Sequence, residues 1–377
     1  MSFSINTNLG ALAALQSLDA TQQSLNNTQN IISTGQLVSS ASNNPAIYSI
    51  SQTMQANIAG LAAVQDNLSF AQSVVGVASS GASQISSQLA TLQNTITQGQ
   101  QSGLNQTTMQ NQINSILQNI NQFADSATFN GVNLLDGTSA PLTTTANITG
   151  STLTLSNQSV TTTGLGLTGL QVNATAVAVD FSSSLAPSNG SSLTLSNGTN
   201  SYVFEFSNGT TALTATPSPT TQVIAVQINS TMSNTQMIGA LMQSLQQNGF
   251  GAGYDSSGNL DITGNNVVAS SSSSAITGAT LSSVGGATAA ISVVTNAIST
   301  MNTKSATLGA FEDQLTGLQN FSSSLSTSLT TGLGALTDAN MAAESAQLNS
   351  LQTKQQLAIR TLSIANAQPQ VLLNLFQ

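Results

Sequence analysis

From Ile47 to Ile96 the chain repeats one pattern. Apolar or small residues fall at Ile47, Ile50, Met54, Leu61, Val64, Leu68, Ala71, Val75, Ala78, Ala82, Ile85, Leu89, Leu92 and Ile96, in alternating steps of three and four with Asn57 the polar exception. A 3.5-residue period sustained this long predicts a coiled-coil seam on one continuous helix. At 1.5 Å per residue such a helix would be about 75 Å long. Met109, Ile113, Ile116, Ile120 and Phe123 predict a second helix, with Gly99 and Gly103 marking the turn between them. The C-terminal part repeats the theme with Leu308, Phe311, Leu315, Leu318, Ser322, Leu325 and Leu329. Beyond Gly332 and Gly334, Asp338 stands where an N-cap would open a last helix. In that helix Met341, Leu348, Gln355 and Leu362 lie seven apart, as do Glu344, Leu351, Ala358 and Ala365. Pro369 is expected to interrupt it before an apolar tail of Val371, Leu372, Leu373, Leu375 and Phe376. At the other end Leu18, Leu25 and Ile32 are also seven apart, with Leu12 and Leu15 nearby.

The segment from Thr138 to Ala290 changes period. Ser151–Ser156, Ser192–Ser196 and Tyr202–Phe206 alternate with period two, and Asn197-Gly198 between the last two predicts a hairpin turn. A second hairpin is expected over Gly253–Thr263, turning at Ser257-Gly258-Asn259. Met237, Ile238, Leu241, Met242 and Leu245 predict a helix within Ser233–Gln247, and Ser270–Ser274 reads as a solvated linker. The fold class expected is mainly α: long paired terminal coiled-coil helices with a central, strand-rich α+β insert.

Composition narrows the function. The 377 residues include 12 Asp and Glu against 3 Lys and Arg, so 4% of the chain is charged and the net charge is −9. A soluble domain ordinarily carries about 25% charged residues. So few cations cannot neutralise phosphates, which excludes nucleic acid and disfavours an anionic membrane surface. No run approaches the ~18 apolar residues of a membrane span, and membrane insertion is not expected. The first basic residue is Lys304, so the basic n-region of a cleaved signal is not expected either. His, Cys and Trp are all absent.

Without His or Cys there is no triad, no thiolate nucleophile and no zinc site of the usual kind. Glu312 and Asp313 are adjacent, so a helix points them in different directions. Asp255 and Asp261 flank a GYDSSGNLD sequence that lacks the ligand spacing of an EF-hand, and a hairpin turn accounts for it better. Gly164, Gly166 and Gly169 spell an isolated G-x-G-x-x-G, but the Val- and Ala-rich alternation of Leu170–Val179 suits a strand, not the helix a dinucleotide site needs. The N-x-[ST] sequons at Asn147, Asn157, Asn173, Asn189 and Asn208 are expected by chance in so Asn- and Ser-rich a chain. The chain is therefore expected to be no enzyme, with no catalytic, metal or cofactor residues. Its apolar terminal seams can pair within the chain, parallel or antiparallel, or with neighbouring molecules, and left exposed they would drive assembly.

Residue by residue, both ends resemble bacterial flagellin. The opening MSFSINTNLGALAALQSL resembles that family's Ile-Asn-Thr-Asn start and Leu-rich helix. Ser33-Thr34-Gly35 with Val38 and Ser40-Ala41 resembles its Ser-Ser-Gly…Ile-Asn-Ser-Ala stretch, and Ala56-Asn57-Ile58 with Gly60-Leu61 its Ala-Asn-Ile-x-Gly-Leu. Phe129-Asn130-Gly131-Val132 with Leu134-Leu135 resembles the signature closing the N-terminal region. Ala365-Asn366-Ala367-Gln368-Pro369-Gln370 with Val371-Leu372 and Leu375 resembles the family's C-terminal signature.

The resemblance implies a subunit that polymerises into a swimming filament, located outside the cell and exported unfolded through the flagellar type III channel without a cleaved signal. It implies a terminal-helix core (1–44 and 336–377), a long-helix rod (45–137 and 291–335) and a variable surface insert (138–290). Assembly residues would be Leu12, Leu15, Leu18, Leu25, Ile32, Leu61, Val64, Leu68, Val75, Ile85, Leu89, Leu92, Met341, Leu348, Leu351, Leu362, Leu372 and Leu375. Partners would be the chain itself, an export chaperone, and the hook-associated junction and cap proteins. The hook–filament junction protein is the alternative reading, and a secreted adhesin one of a different class. Two departures stand out. The family's charged Lys-Asp-Asp is Ser42, Asn43 and Asn44 here, and its receptor-recognised Arg and Glu align with Thr91 and Asn94, so recognition by the innate-immune flagellin receptor should be weak.

Overall fold

The computed structural model describes residues 8–101, 104–172, 175–180, 189–196, 199–210, 212–264, 267–270 and 280–375. Its helices and strands, in chain order, are α1 (Leu9–Thr34), α2 (Pro45–Gln98), α3 (Gln106–Ser126), β1 (Thr128–Phe129), β2 (Val132–Asn133), β3 (Leu142–Thr145), β4 (Thr152–Leu155), β5 (Thr175–Asp180), β6 (Ser192–Ser196), β7 (Ser201–Ser207), β8 (Thr221–Gln227), α4 (Asn234–Gln247), β9 (Gly251–Tyr254), β10 (Leu260–Thr263), β11 (Val268–Ser270), β12 (Thr280–Gly285), α5 (Gly286–Thr337) and α6 (Met341–Leu375). They form two compact units. One comprises Met1–Asp66, Asn147–Thr149 and Asn320–Gln377, the other Asn67–Ala146 and Gly150–Gln319.

In the first unit α1 packs on α6. The pairing is antiparallel, because Asn8 reaches Ala365, Gln22 reaches Gln355, and Gln36 bridges Asp338. Asn8 does two jobs. Its Oδ1 caps α1 by accepting from the Ala11 amide at 3.0 Å, while its Nδ2 donates to the Ala365 carbonyl at 2.7 Å. The helix ends at Gly35, whose φ of 71° puts it in the left-handed region that a residue with Cβ avoids. Asn44 then caps α2 through the Ala46 and Ile47 amides, and Pro45 occupies the first helical position, where its missing N–H costs nothing.

Three expectations at the C-terminal end change. Asp338 does not cap the last helix: α5 runs on through Gly332 and Gly334 to Thr337, and the Asp338 amide still donates to the Gly334 carbonyl at 2.8 Å. The cap is Asn340, which accepts from the Ala342 and Ala343 amides at 3.2 Å. Glycine inside a helix costs only about 1 kcal/mol, too little to break one held by packing, and a Cβ on Gly332 would lie 3.1 Å from the Met54 methyl. Nor does Pro369 interrupt α6, which stays helical to Leu375. Proline keeps a helical φ and forfeits one donor, so a long helix can carry it near its end.

In the second unit α2, α3 and α5 bury their seams. Leu68, Ala71, Val75, Ile85, Leu89, Leu92 and Ile96 of α2 are inaccessible or nearly so, as are Ile113 and Ile120 of α3 and Met301, Leu308 and Leu315 of α5. A Cβ on Gly81 would strike Ala127 and Leu135, and one on Gly99 would strike Met109, so these glycines set how closely α3 and its exit approach α2. The Asn130-Gly131 pair, with φ of 48° and 80°, makes the tight turn joining β1 to β2. Just beyond it Asn133 donates to the Ala124 and Asp125 carbonyls and accepts from the Leu135 amide, closing the end of α3. Asp136 accepts from the Thr138 and Ser139 amides and hydroxyls and from Asn157. Burial alone would raise its pKa; these bonds outweigh that and hold the carboxyl well below the usual range.

The insert contains two four-stranded sheets, ordered β12-β5-β10-β9 and β11-β6-β7-β8. Their inner faces and α4 enclose one core of Val177, Val179, Leu193, Leu195, Phe204, Phe206, Leu241, Leu245, Phe250, Leu260 and Ile262. Phe250 meets Tyr202 and Phe204 edge-on, at ring separations of 5.1 and 5.9 Å. The β6–β7 and β9–β10 hairpins and the α4 helix form where expected, α4 opening on a Ser233–Gln236 capping box. Gly103, Asn173, Asn197-Gly198 and Ser271–Ser274 lie outside the described residues.

Candidate assembly interface

The α1–α6 pair has more apolar surface than one mutual contact can bury. On α1, Ala14, Leu25 and Ile31 are buried, and Leu18 and Ile32 are half-buried. At 100° per residue these cluster on one side of the helix. Leu9 and Leu12 fall on the opposite side and Leu15 on the flank, and they are 71%, 65% and 45% exposed. On α6 the half-buried Leu348 and Leu362 flank the buried Leu351. Ile364, on the far side, is 67% exposed; Leu357, at the rim of the groove between the two helices, is 57% exposed, and Met341 and Ile359 are exposed as well. The side chains of Leu372 and Leu375 lie outside the described part of the structure. Both helices thus carry a second apolar stripe that this chain does not cover. Leaving large aliphatic groups in water costs about 25 cal/mol per Å², so such stripes mark contact surfaces.

The seam residues of α2 sit differently. Leu61, Val64, Leu68, Val75, Ile85, Leu89 and Leu92 are buried inside the single chain. They are core, and the expectation that they face neighbouring molecules is corrected accordingly. A heptad pattern reports that a helix face is buried; it does not say whether the covering residues come from the same copy. Leu9, Leu357, Ile359 and Ile364 were missed as interface candidates. The seven-residue step from Leu357 to Ile364 was their signal, masked by the two stronger heptad series on the same helix.

Charge contributes little here. Lys354 borders the groove between α1 and α6, whose other walls are Ala14, Ser17, Thr21, Leu357, Ala358 and Thr361. Thr91 and Asn94 are exposed on α2, and Thr91 spends its hydroxyl on the Ser87 carbonyl. Asp255 does not line a cation loop among the described residues: its carboxylate accepts the Ser257 and Asn259 amides and so shapes the β9–β10 turn. Desolvation would raise its pKa, but these bonds lower it.

Comparison with known proteins identifies the pattern. The family model for the bacterial flagellin N-terminal helical region matches residues 5–140, and that for the C-terminal helical region matches 291–376. The chain belongs to the bacterial flagellin family. It is 30% identical to Flagellin A of Rhizobium meliloti over 99% of this chain and 100% of that one. To Flagellin FljO of Caulobacter vibrioides it is 28% identical, over 99% of this chain and 98% of that one. A solved structure, FliC from Burkholderia pseudomallei, aligns with a TM-score of 0.32 and 21% identity over 65% of this chain and 99% of its own. This flagellin is a structural subunit of the flagellar filament. The two matched regions bracket the strand-rich insert, which lies between them in sequence.

Proposed function

We propose that this flagellin polymerises through the outward apolar stripes of α1 and α6, with Leu9, Leu12, Leu15, Leu357 and Ile364 as the subunit contacts. The observation that supports this is the exposure of large aliphatic side chains on both helices outside their buried contact. Residues 1–44 and 336–377 make the inner core of the filament, 45–137 and 291–335 the rod, and 138–290 the outward insert. The filament is extracellular, and the subunit reaches it through the type III channel without a cleaved signal. Before assembly an export chaperone holds the terminal helices; the junction and cap proteins bound the finished polymer. We assign the chain no reaction.

Negative-stain electron microscopy of purified protein seeded with filament fragments tests the reading. Full-length chain should extend seeds into long tubes. Leu357→Glu with Ile364→Glu should leave monomer helicity unchanged by circular dichroism and abolish extension; removal of Met341–Gln377 should abolish extension as well. Extension by the double variant at the wild-type rate would refute the interface. Soluble monomers from the full chain under every salt and pH would refute filament formation and favour the junction protein.

A further inference from the structure

The insert meets the first turns of α5 through an unusual contact. Asp261 lies in the middle of β10, 2% exposed, opposite Ala178 of β5 and Gly253 of β9. Strand alternation puts Thr263, Gly251 and Gly253 on the same side of the sheet as Asp261. That side faces α5, because a Cβ on Gly253 would lie 2.7 Å from Val293 Cα and 2.9 Å from the Ser292 carbonyl carbon. The helix backbone therefore rests directly on the sheet. At this contact the Ser292 hydroxyl donates to Asp261 Oδ2 at 2.7 Å. Asp261 Oδ1 and Thr263 Oγ1 are buried and have no hydrogen-bond partner among the described residues.

A carboxylate needs several donors to replace its hydration, and Asp261 has one. No cation faces it. Along β9 and its turn stand Tyr254, whose buried hydroxyl lacks a protein partner, and Asp255, which adds repulsion. On β5 the titratable residue is Asp180, and β12 and α4 bring none. On α5 the first titratable residue is Lys304, twelve positions beyond Ser292. Nor does the start of α5 supply a compensating field, since the helix-terminus effect fades within the first turn and Ser292 lies past it.

We propose that Asp261 is a proton-operated latch: its neutral form fastens the β12-β5-β10-β9 sheet to α5, and ionisation loosens that contact. Desolvation, then Asp255, raise the Asp261 pKa, against the lowering by the Ser292 bond. A carboxyl whose folded value is raised binds a proton in the folded chain at pH values where the unfolded chain has released it. Acidification through that window therefore strengthens the contact, and the gain disappears as pH rises through the folded value. The direction is opposite to ordinary acid unfolding. Each unit by which the folded value exceeds the unfolded one corresponds to about a tenfold change in the opening equilibrium.

Hydrogen exchange of the full-length monomer, followed by mass spectrometry and corrected for the intrinsic pH dependence of exchange, tests the latch. In wild type, peptides covering 260–263 and 286–297 should exchange more slowly near pH 4.5 than near pH 7.5. Asp261→Asn, neutral at both, should show the slower exchange at both. Ser292→Ala removes the one donor and should move the transition to higher pH, which keeps the test alive if the first variant folds poorly. Equal or faster wild-type exchange at the lower pH, an unchanged pH response in Asp261→Asn, or an unmoved transition in Ser292→Ala would each overturn the proposal.

Discussion

Gly253 and Gly76 make a paired test of how closely the insert is seated on α5. Adding one methyl at Gly253 would place a carbon 2.7 Å from Val293 Cα and 2.8 Å from its nitrogen. Nonbonded carbons prefer about 3.5–4.0 Å, so strand and helix must separate by roughly 1 Å. Both clashing atoms are backbone, so no rotamer change relieves them. The cost is about 1–3 kcal/mol, in the range of overpacking elsewhere. Gly76, inside α2, has nothing within 4 Å of the corresponding methyl, and its substitution removes a flexible residue from a helix. Gly76→Ala should therefore stabilise by about 0.5–1 kcal/mol. One chemical change thus has opposite signs at two sites. In a unit of this size about 1 kcal/mol moves the melting midpoint by roughly 2–4 °C. Thermal unfolding of monomers, followed at 222 nm for the helices and in the near ultraviolet for the half-buried tyrosines, reads both. A Gly253→Ala protein melting at or above wild type would refute the close approach, and a destabilised Gly76→Ala would refute the open space on that face of α2.

Three further outcomes follow from the same coordinates. Leu92→Ala empties a fully buried site and should cost the monomer about 2–5 kcal/mol, whereas Leu12→Ala should stay within about 0.5 kcal/mol yet slow seeded extension; comparing denaturant midpoints with elongation rates separates the two. Glu205, 2% exposed, accepts the Thr214 amide and hydroxyl and the Ala215 amide. Desolvation opposes ionisation there, but these bonds outweigh it and lower the pKa. Its stabilisation is thus complete above the unfolded value of about 4.3 and lost as pH falls through the folded one. Amide exchange at 214–215, corrected for its intrinsic pH dependence, should accelerate in acid, and Glu205→Gln should speed it wherever the wild-type carboxyl is ionised by removing about 1–3 kcal/mol; acid-insensitive exchange in wild type would contradict this. Finally, Thr91 and Asn94 predict weak signalling in a flagellin-receptor reporter assay, and strong signalling by this chain would sink that idea.

The α2 seam was readable because one face of a long helix, buried from Leu61 to Ile96, leaves an uninterrupted 3.5-residue record. The β6–β7 and β9–β10 hairpins were readable because their turns are local. The parallel β7–β8 pair was not: its strands join through residues 208–220, a connection too long for a local turn to report a parallel partner. Glu205 hid for a related reason. Alternation in Tyr202–Phe206 suggested a solvent face, but the chain returns to cover it at Thr214 and Ala215. Asp338 misled because its residue type favours capping, while Asn340 two positions later shares that property and the connection decides between them. At the candidate interface the sequence marked both Leu92 and Leu12 as apolar seam positions, and only burial separates Leu92, which is core, from Leu12, which is surface.

The scarcity of charge becomes intelligible once the hydroxyls are traced. Along α5, Thr303, Thr307, Thr327, Ser328, Thr330, Thr331 and Thr337 each donate to the carbonyl four residues earlier. Thr91, Thr95 and Thr97 do so on α2. A serine or threonine satisfied this way keeps a polar atom on the helix surface without demanding a partner outside it. Lysine or glutamate in the same place would impose a matching charge on any neighbour and a penalty when unmatched. A subunit surfaced with such self-satisfied hydroxyls can be buried against copies of itself at little electrostatic cost, so the shape of the apolar stripes sets register. Salt and pH then act weakly on the helical parts. Their strongest local effects fall on Asp136, just before the insert, and Glu205 within it, both held ionised by hydrogen bonds, and on Asp261, pushed toward neutrality by burial.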